Sequence, residues 1–184
     1  MSNHDVFEFV TLVLALGCGL AGAVTDIRSR RIPNFLTGPA MLAGLGLHLM
    51  AGGWREGGNS LLSLLLCGAL FLLFHLAGGM GAGDVKLIAA EACLLNLHNV
   101  VALLLYTVLC GGVMGLALAI RRGQMRRTLT NVLALTIHHS RNGLQPHPEL
   151  NVLNTRALRL PYAVAIASGC SLTIFLNHAP GSLL

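Results

Sequence analysis

Two aspartates are set apart by their surroundings. Asp26 closes an almost unbroken apolar stretch and opens into IRSRRIPN, where Ile32, Pro33 and Asn34 follow a cluster of arginines. Asp84 follows Gly81, Ala82 and Gly83 in GMGAGDVK, with Lys86 two residues on. An acid at the edge of hydrocarbon is expensive unless it is paired, solvated or functional. Two carboxylates brought into one site compete for protons, so one tends to hold a proton while the other is ionised. Such a pair suits hydrolysis of a peptide bond: one carboxylate draws a proton from water while the other donates to the carbonyl under attack. Whether the chemistry is available depends on the elements that carry residues 26 and 84.

Those elements belong in a bilayer. The 184-residue chain is 54% hydrophobic and only 10% charged, more apolar than one soluble core of that length could use. Runs without Asp, Glu, Lys or Arg cover residues 9–25, 35–53, 57–83 and 160–184 with only minor interruption. Each is near or above the roughly 17 to 25 residues of a spanning helix. Between Val85 and Ile120 only Lys86 and Glu91 are charged, and the polar LNLHN at 95–99 reads as a turn between two further helices. The expectation is an all-α polytopic membrane protein of about six transmembrane helices, with residues 1–184 forming one integral domain. The acidic start, MSNHDVFEFV, lacks the basic n-region of a removable signal, so the first span is read as retained. The 22 glycines are ordinary where helices in lipid approach closely.

Charge placement orients this arrangement. Arg28, Arg30 and Arg31 fall in one connection, Lys86 in another and seven arginines in the loop at about 121–159; of the 12 basic residues only Arg55 lies on the opposite side. The positive-inside rule puts these connections in the cytoplasm and both termini outside. Asp26 at the end of the first span and Asp84 at the start of the fourth are then expected at the same cytoplasmic boundary. The net charge of +5 follows from topology, with anionic lipid as the partner it favours; nucleic-acid binding has no support.

Local signals fit a built site. The glycines before Asp84 suggest a flexible turn open to close backbone approach, with Asp84 capping a helix that begins at Val85. Ile32 and Pro33 turn the chain sharply into the second span, and Asn34 can hold that turn or cap the helix. Bland alternatives exist: Arg28, Arg30 and Arg31 as a stop-transfer cluster, and Arg30 as an ion-pair partner of Asp26. Glu91, two turns after Asp84, reads as an interior acid hydrogen-bonded to a neighbouring helix, and Trp54 as an outer interfacial anchor. Cys18, Cys67, Cys93, Cys110 and Cys170 all fall in apolar segments without a CxxC pair, as buried thiols would. His138, His139, His147 and Glu149 match no defensible metal spacing, so neither a metal nor a cofactor is expected. In the long loop NVLALTIHHS could form an amphipathic helix on the bilayer, followed by a turn-rich NGLQPHPEL.

These motifs resemble those of the type IV prepilin peptidases, intramembrane aspartic proteases with a GxGD motif. Asp26 with Ile32, Pro33 and Asn34 matches one family element; Gly81, Gly83, Asp84 and Lys86 match a second; Pro161 and Tyr162 in LPYAVAIASG match a third. The resemblance implies Asp26 and Asp84 as the catalytic pair, with Lys86 helping in charge balance or substrate binding. It further implies removal of a short basic leader from prepilin-like precursors at the cytoplasmic face of a bacterial inner membrane. The large cytoplasmic insert with paired CxxC motifs, found in members that also N-methylate the product, is missing. The chain therefore looks like the short peptidase-only branch of tight-adherence (Flp) pili, and methyltransferase activity is not expected. Two rival classes are a small proton- or ion-coupled transporter and a non-enzymatic pilus-assembly subunit.

Overall fold

The computed structural model describes residues 3–143, 145 and 161–178, and every regular element among them is helical. In chain order these are α1 (Asn3–Ser29), α2 (Asn34–Leu76), α3 (Ala82–Leu95), a 3-10 turn (Leu97–Asn99), α4 (Val100–Arg121), α5 (Met125–Asn142) and α6 (Tyr162–His178). Val6–Ser29, Asn34–Leu76 and Leu97–Arg121 are long and apolar enough to cross a bilayer, and Tyr162–Asn177 is a shorter apolar helix.

At 43 residues α2 is far too long for one crossing, and it doubles back. Gly52 and Gly53 leave helical geometry, with Gly53 at φ +65°, a value that costs a residue without Cβ little. Beyond the break Leu49 fills the space where a Cβ on Gly57 would sit, a contact that eight intervening steps of straight helix, about 12 Å, would forbid. The two arms correspond to the expected spans at 35–53 and 57–83. Trp54, 88% exposed, follows the break directly. With α1, α3, α4 and α6 the arms make six apolar helical segments.

The bundle is built around α3. Its 14 residues reach only about 21 Å, short of a roughly 30 Å hydrocarbon core. All nine residues from Leu87 to Leu95 are buried, as expected of a helix apolar on every side. Both arms of α2 hold its far end: Ser60 Oγ donates to the Cys93 carbonyl at 2.7 Å and His48 Nε2 donates to that of Leu94 at 3.0 Å. α1 runs antiparallel beside it, Gly22 giving way to Leu87 and, one turn further from Asp26, Gly19 giving way to the Glu91 carboxyl. α6 closes the bundle against α1 and α4. Exposed apolar side chains such as Phe35 (79%), Val101 (76%) and Phe175 (69%) cover the outside, the surface a bilayer would wet.

All five cysteines are free thiols, four buried and Cys110 partly so, as their apolar settings led us to expect. Glu91 departs from expectation. It is fully buried, yet neither carboxyl oxygen meets a hydrogen-bond partner among the described residues. Its neighbourhood of Cys18, Gly19, Ala167 and Cys170 is small-residue packing that offers no strong side-chain donor. His138 lies on α5, where its Nε2 donates to the Gln145 carbonyl at 3.1 Å; His147 and Glu149 lie outside the described residues, as does most of NGLQPHPEL.

Candidate active site

Asp26 sits in the last turn of α1 and Asp84 in the first turn of α3, so antiparallel packing of the two helices brings the acids to one end of the bundle. Asp26 is close enough for its charge to act on the Asp84 carboxyl. Both are half-buried and line a cleft of about 300 Å³ together with Arg30, Arg31, Ile32, Gly81, Ala82 and Gly83.

The turn that delivers Asp84 is held from both sides. α2 ends in a Schellman arrangement: Gly78, at φ +78°, donates to the His75 carbonyl at 2.9 Å and Gly79 to that of Phe74 at 2.9 Å. His75 Nδ1 then donates to the Met80 carbonyl at 2.9 Å, fixing the strap just before Gly81. Contrary to the expected start at Val85, α3 begins at Ala82 with Gly81 as its N-cap residue. Asp84 is therefore the third helical residue, and its Oδ2 accepts from the Gly81 N–H at 3.2 Å. The carboxylate satisfies an otherwise orphaned donor at the positive end of the helix, which is why an acid is stable there. The Gly-Ala-Gly stretch is thus a helix entry rather than a loose turn.

The Ile-Pro-Asn segment meets that entry directly. A Cβ on Gly83 would come within 3.1 Å of Ile32 Cβ, so the missing side chain is what lets Ile32 lie against α3. Pro33, with extended backbone (φ −74°, ψ 143°), is the N-cap residue of α2 and makes no side-chain cap bond. Asn34, expected as a cap or turn holder, instead accepts a hydrogen bond from Lys86 Nζ at 2.9 Å through Oδ1. The α1–α2 connection and the start of α3 are therefore joined by one packing contact and one hydrogen bond.

A third element reaches the acids from the far end of the chain. Pro161 precedes α6, and the backbone N–H of Ala163 in its first turn lies near enough to Asp26 to act on its carboxylate. Tyr162 lies near enough to Asp84 to feel its charge, and its ring sits 6.4 Å from that of Phe71. Sequence reasoning matched Pro161 and Tyr162 but could not see the Ala163 contact, because a backbone donor leaves no side-chain signal.

The arginines divide. Arg30 continues the helical bonding of α1, its N–H 2.8 Å from the Asp26 carbonyl, but takes φ +52°. Its charge acts on the Asp26 carboxylate, and both Arg30 and Arg31 line the cleft. A pure stop-transfer reading of the cluster therefore understates these two residues. His75 was not singled out by the sequence at all; only its position just ahead of GGMGAGD could have drawn notice.

Compared with known families, residues 12–116 match the type IV leader peptidase family. The matched stretch runs from α1 into α4 and includes both aspartates, Ile32, Pro33, Asn34, Gly81, Gly83 and Lys86. No curated protein and no solved structure matches the chain. With more than half of its length matched, over the helices that converge on Asp26 and Asp84, this helical membrane peptidase belongs to the type IV leader peptidase family.

Proposed function

We propose that the protein is an aspartic endopeptidase in which Asp26 and Asp84 are the catalytic pair. The observation that carries this reading is their convergence from two helices on one cleft, with Gly81, Gly83 and Ile32 around them. One carboxylate takes a proton from water as the water oxygen attacks the scissile carbonyl carbon. The other donates its proton to the carbonyl oxygen, and collapse of the tetrahedral intermediate passes a proton to the departing amine. Which aspartate acts as base is a property of the pair rather than of either residue.

The substrates of this reading are prepilin-like precursors with a short basic leader and an adjoining apolar helix. Such a precursor keeps its leader in water and its helix in the bilayer, so the scissile bond arrives at the bilayer boundary. The cleft at the end of the helices meets it there. Arg30 and Arg31 beside the acids support the binding of carboxylate or carbonyl groups near the cut rather than of the basic leader itself. Charge distribution supports a cleft facing the cytoplasm of a bacterial inner membrane, with both termini outside. The lack of a CxxC pair among residues 1–184 supports the peptidase-only Flp type, leaving the product amine unmethylated.

The test is mass spectrometry of a co-expressed Flp-type prepilin. The reading predicts a mature product that begins at the leader junction and carries no added methyl group. A cut elsewhere, or an N-methylated product that depends on this protein, would overturn the substrate and branch assignments respectively.

A further inference from the structure

Helix α5 takes no part in the site, yet its surface is inverted relative to a helix packed on a soluble core. Leu129, Val132, Leu133, Thr136 and Ile137 fall at the i, i+3, i+4, i+7, i+8 spacing of one apolar stripe. All five are exposed, Leu129 at 61% and Leu133 at 62%. On the opposite side Asn131, Ala134, Leu135 and His138 are the more covered residues, so that side mixes two polar with two apolar side chains. A helix packed on a soluble core would bury the stripe and expose the side with Asn131 and His138, so the stripe faces a medium that accepts it.

Two observations identify that medium. The preceding helix α4 is apolar and exposed down to its end at Val113, Leu116 and Ile120, and Gly123, at φ +62°, then turns the chain into α5. The charge nearby is also of one sign. Arg121, Arg122 and Arg126 are exposed around the joint, Arg127 and Arg141 belong to α5, and no acid occurs between Glu91 and Glu149. An apolar stripe whose charged neighbours along the chain from residue 92 to 148 are all cations suits the headgroup boundary of an anionic leaflet better than a protein partner.

We propose that α5 lies in the leaflet that holds Asp26 and Asp84, with the Leu129 to Ile137 stripe among the acyl chains and the arginines at anionic headgroups. The chain has a single tryptophan, so Trp54→Phe provides a silent background. In that background Leu133→Trp and, independently, Leu129→Trp report the stripe, and Asn131→Trp reports the opposite side. The full-length variants are reconstituted in phosphatidylcholine–phosphatidylglycerol vesicles containing lipid brominated near the headgroup end of its chains. Expected is loss of at least half the emission at residues 129 and 133, under a fifth at 131, and weaker quenching at the stripe when phosphatidylglycerol is omitted. Equal quenching on both sides overturns the proposal. So does blue-shifted but unquenched emission from the stripe, which would mean that a second copy or another protein covers it. Quenching that ignores phosphatidylglycerol overturns the role given to the arginines.

Discussion

Lys86 Nζ donates to Asn34 Oδ1 at 2.9 Å across 52 residues of chain, joining the start of α2 to the start of α3, each two residues beyond a residue that lines the cleft (Ile32 and Asp84). The bond is exposed, so its net contribution is about 1 kcal/mol, a factor of about five in rate or population. We expect Lys86→Met and Asn34→Ala each to slow cleavage of a prepilin-like substrate roughly three- to fivefold, and the double variant to be no worse than either single. A double-mutant cycle on cleavage rates checks this; fully additive losses would mean that the two residues act separately.

Ile32 against Gly83 is a tighter dependence. Gly83→Val would drive side-chain atoms into Ile32, where even a Cβ comes within 3.1 Å. Overpacking of this kind costs about 1 to 3 kcal/mol. Cleavage should fall at least tenfold, and Ile32→Ala in the same chain should recover much of the loss. A Gly83→Val protein as active as the parent would contradict the packing described.

The backbone N–H of Ala163, in the first turn of α6, acts on the Asp26 carboxylate. Ala163→Pro removes that N–H near a helix start, where proline is best tolerated. A hydrogen bond to a charged group contributes about 1.5 to 3 kcal/mol. The expected outcome is a ten- to hundredfold drop in kcat with normal membrane accumulation and little change in KM. A change confined to KM would instead assign the first turn of α6 to substrate binding.

Stability and chemistry separate at Glu91. A Cβ on Gly19 would overlap the Glu91 carboxyl, so Gly19→Ala should lower the thermal midpoint in detergent and the amount of folded protein. Glu91→Ala in the same chain should restore both. Failure of that rescue would show that some other contact of α1 sets the tolerance at residue 19.

Much of this architecture was legible in advance because hydrocarbon constrains sequence so strongly. Counting apolar runs and locating the arginines was enough to predict Asp26 and Asp84 at one end, and the structure brings them to one cleft. The break at Gly52 and Gly53 falls at the end of the apolar run 35–53, where the charged Arg55 and Glu56 separate it from the next. What escaped was pairwise and directional. Nothing in the spacing of Asn34 and Lys86 announces a bond between connections that meet only after folding. The start of α3 at Ala82 was missed because glycines read as a turn when the helix that needs their close approach is not yet in view. Glu91 was given a partner because buried acids usually have one, whereas the small residues of α1 and α6 supply none.

The central claim is that Asp26 and Asp84 perform the chemistry. Its most direct test is cleavage of a co-expressed prepilin-like precursor by the parent protein, Asp26→Asn and Asp84→Asn, with membrane levels of all three compared. Asparagine keeps the shape and most hydrogen bonds of each side chain while removing its ability to exchange protons, so both variants should accumulate normally and leave the precursor uncut, with at least a thousandfold loss of rate. Cleavage at the parent rate by either variant would reduce that aspartate to the helix-start partner of Ala163 or Gly81 and contradict the mechanism.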